Sequence, residues 1–289
     1  MIVDLPSRAG ERDAELVVLF VHAISLSAGC YVPLAAGLSV RSLNLGLQLP
    51  GHGGAPEPPA GTDPWTAFAE AVGEAVEVLK ERVGAPIVVV AHSGGATSAL
   101  LAEQRSPLSV AGMYLYEPAL RPPAPLSPRA ETLIEKTRGR AARFPDRNAA
   151  HAHASAMSPT RTFAPPAIEG FLGDGLVEVA DEGWQLACAP AFEAEIYRLA
   201  TRNSCWAELS SVMAEVRLAY GTGGPSGGLG EIAPDILRRL PNARGDAIPG
   251  AGHFAPCEQI AMIAASIDRF ASELLSAVGD PHKKPEPQQ

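Results

Sequence analysis

The chain has 289 residues, of which 46% are hydrophobic and 19% charged, with a formal net charge of −9 at pH 7. That apolar share is ample for a buried core, and the length fits one large domain or a domain carrying an insertion. The acidic balance argues against nucleic acid as a partner, no apolar run reaches the roughly 18 residues of a membrane span, and residues 1–6 lack the features of a secretory signal.

Along the chain, apolar runs alternate with helical patterns. The run Leu16–Val21 is continuous, as a strand buried on both faces requires. Tyr31, Leu34 and Leu38 then recur at helical spacing, and a second strand is predicted over residues 40–49. Asp63-Pro64 opens a helix, an N-cap followed by Pro at the first helical position, with an apolar face of Trp65, Phe68, Val72, Val76, Leu79 and Val83. A third strand, residues 87–90, leads into Ala91-His92-Ser93-Gly94-Gly95 and a good helix former over residues 96–102. A fourth strand, residues 110–116, ends at Glu117-Pro118. Strands are predicted again at residues 216–220 and 245–248, and a last helix carries Ile260, Ile263, Ile267, Phe270 and Leu274. Such alternation predicts a doubly wound, mostly parallel sheet with helices on both faces and a ligand site beyond the carboxyl ends of its strands.

Between residues 119 and 209 the alternation stops at Pro122-Pro123-Ala124-Pro125, and helical patterns follow around residues 130–144 and 192–199. This stretch is too long for a loop and reads as a mainly helical cap on a core of residues 1–118 and 210–280. Residues 281–289 have the composition of a disordered tail. Residues 121–161 hold eight Lys/Arg against three Asp/Glu, a solvated helix face or a basic wall for anionic substrates, the first being the simpler reading. Phe163, Phe171, Leu172, Trp184 and Phe192 either line an apolar pocket or pack the cap onto the core. Cys30, Cys188, Cys205 and Cys257 form no C-x-x-C pair or metal spacing, which predicts free thiols in a reducing, cytoplasmic setting and no metal site.

Ser93 carries the chemistry. A strand that ends in small-x-Ser-x-Gly and turns at once into a helix is a nucleophile elbow, which lifts the hydroxyl clear of the sheet and leaves the N–H of Gly94 free for an oxyanion. Of the seven histidines, His253 stands in the Gly-rich turn 249–254 directly before the last helix, where a general base can reach the serine.

Four blocks together resemble the α/β-hydrolase superfamily. Residues 20–24, Phe-Val-His-Ala-Ile, are similar to its oxyanion loop, and residues 50–54, Pro-Gly-His-Gly-Gly, to the turn after its next strand. Residues 91–95 resemble its elbow, with Ala91 in place of the common Gly, and residues 249–254 the loop that delivers its histidine. The resemblance implies the α/β-hydrolase fold, a second oxyanion N–H near Ile24, structural roles for His22 and His52, and no cofactor. The usual acid position after Tyr220 is empty, because residues 221–226 contain no carboxylate. Some branches of the fold place the acid after the strand that follows the nucleophile's helix, which implies Glu117 here. A glutamate at a buried strand end is also costly without a partner, although a cap arginine would serve, and Glu231 and Asp235 are the nearest downstream alternatives. Pro118 is expected to bias Glu117 towards an extended backbone.

The expected activity is hydrolysis of a carboxylic ester or lactone, with an apolar small molecule as substrate, through an acyl-enzyme on Ser93. A carbon–carbon hydrolase acting on a vinylogous diketone and a non-catalytic ligand-binding homologue are the alternatives.

Overall fold

The computed structural model describes residues 1–200, 202–223 and 229–279. Its centre is a seven-stranded sheet of β1 (Ile2–Asp4), β2 (Leu16–Val21), β3 (Ser42–Leu47), β4 (Ile87–His92), β5 (Gly112–Tyr116), β9 (Val216–Gly221) and β10 (Ala243–Ile248). The order is β1-β3-β2-β4-β5-β9-β10, and every neighbouring pair is parallel except β1 with β3. The chain thus starts at one edge with β1, passes to β2, returns to β3 between the two, then winds the other way through β4, β5, β9 and β10.

The alternation of side chains explains why these strands read as unbroken apolar runs. Val17, Leu19 and Val21 of β2 face one core, whereas Leu16, Val18 and Phe20 face the other. The first core is covered by α2 (Pro64–Arg82), α3 (Gly94–Arg105) and α8 (Ala233–Arg239), the second by α1 (Val32–Gly37), the short α9 (Ala255–Glu258) and α10 (Ile260–Gly279). Asp63 caps α2 by accepting the Thr66 N–H at 3.3 Å. Trp65, Phe68, Val72, Val76 and Leu79 are then buried on one stripe, each contributing about 1.5–3 kcal/mol of transfer free energy.

The segment inserted between β5 and β9 holds α4 (Pro128–Arg138), α5 (Arg147–Ala156), α6 (Pro165–Gly175) and α7 (Pro190–Leu199). It also holds a small antiparallel sheet of β6 (Arg143–Phe144), β7 (Leu176–Val179) and β8 (Gly183–Leu186), in the order β6-β8-β7. The helix expected over residues 130–144 therefore stops early. Gly139 ends α4, and Phe144 pairs with Trp184 across the small sheet. This segment is clamped to the core where α6 crosses the 3₁₀ turn Ala28–Tyr31. The backbones of Gly29 and Gly170 touch, so that a Cβ on Gly170 would lie 1.9 Å from the Gly29 carbonyl oxygen and one on Gly29 would lie 2.1 Å from that of Gly170. Asp174 Oδ2 accepts the Gly29 N–H at 2.9 Å and Gln48 Nε2–H at 2.7 Å in the same contact. The tail expected at residues 281–289 lies outside the described residues.

Candidate active site

Ser93 leaves β4 with φ of +54° and ψ of −119°, a left-handed backbone that a non-glycine residue adopts only under tertiary constraint. The constraint is visible on both sides. The Ser93 N–H donates to the Tyr116 carbonyl at 2.9 Å, continuing the β4–β5 ladder, and the Ser93 carbonyl accepts the Ala119 N–H at 3.0 Å. The glycines that follow are required by close approach. A Cβ on Gly95 would sit 2.4 Å from the His22 carbonyl oxygen, and one on Gly94 would sit 2.3 Å from Ile24 Cγ1. The start of α3 is thus pressed onto the loop after β2, which brings Gly94 and Ile24, the two residues expected to offer oxyanion N–H groups, against each other. Gly94 opens α3, so its N–H is among the four that no intrahelical carbonyl can satisfy.

His253 Nε2 lies 3.1 Å from Ser93 Oγ, and His253 Nδ1 lies 3.2 Å from Glu117 Oε2. A carboxylate accepts, so the ring proton sits on Nδ1 and Nε2 presents its lone pair to the serine hydroxyl. Glu117 is 2% exposed, and two backbone N–H groups also donate to its carboxylate, Gly221 to Oε1 at 2.9 Å and Leu229 to Oε2 at 3.2 Å. The strand after which an acid is usual therefore sends its backbone N–H to Glu117. Gly221 has no room for a side chain, since a Cβ there would lie 2.0 Å from the Ala251 carbonyl oxygen. Asp235 pairs with Arg238, and Glu231 is exposed. Glu117 does not take the extended backbone expected from Pro118. Its φ is +46°, held by its N–H donating to Ala219 and by the three donors that converge on its carboxylate. The alternative of a cap arginine does not apply among the described residues, where the ion-pair partner of Glu117 is His253 and Arg140 of the insertion pairs with Glu193.

The loop after β2 is pinned residue by residue. His22 Nδ1–H donates to Ala23 O at 2.8 Å while its Nε2 accepts the Leu49 N–H at 3.0 Å. His52 Nδ1–H donates to Pro50 O at 3.0 Å while its Nε2 accepts the Ser25 N–H at 3.2 Å. Each ring must be neutral to accept. Burial enforces this, lowering the pKa to about 3 for His22 and about 4 for His52. Ser25, itself at φ +73°, donates its hydroxyl to Glu193 and lies 3.0 Å from Tyr197 Oη, so α7 reaches the residue next to Ile24. Neither Glu193 nor Tyr197 carries a sequence signal for this contact, because 168 and 172 residues separate them from Ser25.

The amino-acid sequence matches the alpha/beta hydrolase family over residues 18–264. The chain is an α/β hydrolase. A search of curated proteins finds no match to this hydrolase. Its fold is similar to that of E-2-(acetamidomethylene)succinate hydrolase, with a TM-score of 0.74, 21% identity and coverage of 91% of this chain and 93% of that one. It is also similar to the peroxisomal alpha-beta-hydrolase Lpx1 of Saccharomyces cerevisiae, with a TM-score of 0.78, 15% identity and coverage of 100% and 84%. A thermophilic esterase from Thermogutta terrifontis shares a TM-score of 0.65, 20% identity and coverage of 95% and 93%. Identities this low speak for a shared fold alone.

In this hydrolase Phe163, Phe171 and Leu172 are buried in the core on the α10 face of the sheet, which is the packing alternative for these three. Phe163 also meets Phe254, whose ring stands edge-on to His253 at 4.9 Å. Phe192 packs on His52 and Phe68, and Trp184 lies under Arg147. Of the eight basic side chains of residues 121–161, Arg138, Arg140 and Arg143 pair with Glu135, Glu193 and Glu182, and Arg147 donates to the Leu172 carbonyl. His151 pairs with Glu169, and His153 stacks on Phe144. All four cysteines are buried free thiols. Among the described residues no cluster of His, Cys, Asp and Glu is placed to hold a metal ion, and no helix is long and apolar enough to cross a membrane.

Proposed function

We propose that this α/β hydrolase is a serine hydrolase that cleaves a carboxylic ester or lactone. The observation that carries the reading is the line from Ser93 Oγ through His253 Nε2 and Nδ1 to Glu117 Oε2, at 3.1 Å and 3.2 Å, on a strained strand-to-helix turn. In this reading Ser93 is the nucleophile, His253 the general base and then acid, and Glu117 the group that fixes the imidazole tautomer and stabilises its cation.

Ser93 Oγ attacks the substrate carbonyl as its proton passes to His253 Nε2. The carbonyl π electrons move to oxygen, which rests against the backbone N–H groups of Gly94 and Ile24. Collapse expels the alcohol, which takes the proton from His253 and leaves the acyl group on Ser93. A water then gives a proton to His253, attacks the acyl carbon and releases the acid, returning the proton to Ser93. In a lactone the alcohol remains tethered to the acyl group.

A protein of similar fold is an esterase, which makes ester chemistry one activity this fold can host, and in this reading Glu117 fills the role of the acid that residues 221–226 lack, which speaks against the non-catalytic alternative. Four buried free thiols fit a reducing, cytoplasmic compartment. The test is a hydrolysis panel of p-nitrophenyl esters of increasing acyl length, lactones and vinylogous diketones, run on wild type and Ser93→Ala. Turnover of esters or lactones that the variant loses is expected. Turnover confined to the diketones would replace this reading with carbon–carbon hydrolysis.

A further inference from the structure

Tyr31 and His92 have no part in the proton transfers above, yet both are buried and fully hydrogen-bonded. The Ala23 N–H donates to Tyr31 Oη at 3.1 Å. Tyr31 Oη and His92 Nδ1 are 2.7 Å apart, and His92 Nε2 is 2.8 Å from the carbonyl oxygen of His253. The protons can be assigned by elimination. A carbonyl only accepts, so His92 Nε2 carries the hydrogen. Burial keeps the ring neutral and pushes the Tyr31 phenol well above its ordinary pKa, so Nδ1 is an acceptor and the phenol keeps a proton to give it. The order is therefore Ala23 N–H to Tyr31, Tyr31 O–H to His92, and His92 N–H to the His253 carbonyl.

The ends of this chain are backbone groups of two different loops. Ala23 precedes Ile24, and His253 bears the imidazole that faces Ser93. His92 sits between them as the residue immediately before the nucleophile. An elbow makes no steric demand for histidine at that position, and an apolar side chain there would bury without desolvating a ring nitrogen. What the phenol and imidazole add is direction. Each bond has one donor and one acceptor, so the two loops are satisfied in a single relative register.

We propose that Tyr31 and His92 are positioning residues, a buried relay that holds the oxyanion loop and the His253 loop in register around Ser93. This rests on the serine hydrolase reading, because the loops matter only if Ile24 and His253 act on a group bound to Ser93. A displacement of about 1 Å at reacting atoms can cost on the order of 10²-fold in rate.

The experiment uses the full chain and follows the rate at which a fluorophosphonate labels Ser93, alongside kcat and KM for p-nitrophenyl butyrate. Tyr31→Phe keeps the ring and deletes the hydroxyl. His92→Asn deletes the bond to His253, and His92→Gln can return a donor towards that carbonyl. Both Tyr31→Phe and His92→Asn are expected to label at least about tenfold more slowly and to lower kcat with KM within about twofold, the pattern of a misplaced transition-state contact. The double variant should be no slower than the worse single, since both break one chain, and His92→Gln should recover part of the loss. Nitrogen-15 spectra of the wild type should show His92 protonated on Nε2, a test that does not depend on any variant folding. Folded variants that label at the wild-type rate, fully additive losses, or a His92 proton on Nδ1 would overturn the relay. A wild type that is not labelled at all would instead overturn the serine hydrolase reading, and the relay with it.

Discussion

Replacing Glu117 by Gln isolates the role of one charge. Three donors converge on this carboxylate, Gly221 N–H on Oε1, and Leu229 N–H and His253 Nδ1–H on Oε2. A glutamine amide offers one accepting oxygen and one NH₂ that can only donate. With the oxygen at the Oε2 position, Gly221 N–H faces the NH₂ and loses its bond, a buried orphan costing about 1–3 kcal/mol. With the oxygen at the Oε1 position, Leu229 N–H is orphaned, and His253 must shift its proton to Nε2, where it faces Ser93 and the ring can no longer act as base. Both arrangements also remove the negative charge that, in the proposed mechanism, stabilises the imidazolium. The expected loss in kcat is about 10²–10⁴-fold, the upper figure applying if the tautomer flips. Unfolding free energy should fall by about 1–3 kcal/mol. Ester hydrolysis under saturating substrate and urea denaturation measure the two effects separately. A variant within about tenfold of wild-type kcat would refute the assignment of Glu117 as the group that orients His253.

Ser93→Ala should abolish turnover and labelling while the protein still unfolds cooperatively; residual turnover near the wild-type rate would point to another nucleophile. His253→Ala should slow labelling of Ser93 by orders of magnitude, because a serine without a base is a weak nucleophile. His22 and His52 have folded-state pKa values of about 3 and about 4, against about 6.5 in the unfolded chain. The unfolded state therefore binds more protons below about pH 6.5, so stability should be level above that pH and fall as the pH drops through it. Each of these two imidazoles should cost about 2 kcal/mol between pH 7.5 and 5, measurable by denaturant titration at both pH values. Gly170→Ala puts a methyl into the Gly29 backbone, and the overpacking should cost about 1–3 kcal/mol, lowering Tm by several degrees in a calorimetric scan. An unchanged Tm would mean that α6 does not dock as closely as the Gly29 contact requires.

The strands that place the candidate site were legible because both faces of the sheet are buried. A strand such as Leu16–Val21 then has no polar alternation to confuse with another element. The elements that the sequence hides are short or paired at long range. β1 has three residues and β6 has two, and each is a strand only because a distant partner completes its hydrogen bonds. The Ser93 elbow and the His253 turn carry local chemistry, glycines and small residues at fixed offsets, and could be read directly. Glu117 was legible through the resemblance to branches of the fold that place the acid after this strand, and as a carboxylate too costly to bury alone. Its left-handed backbone runs against the bias of Pro118 because tertiary donors decide it. Tyr31, Glu193 and Arg140 were not legible as parts of the site, because what recruits them is contact across the fold: Tyr31 meets His92 61 residues away.

The most direct test of the central claim is covalent labelling of the wild-type protein by a fluorophosphonate, with the modified residue mapped by peptide mass spectrometry. An activated serine is expected to react rapidly and stoichiometrically at Ser93, and heat-denatured protein to remain unlabelled. Absence of labelling in the folded protein, or labelling spread over surface serines at the rate of the denatured chain, would contradict it.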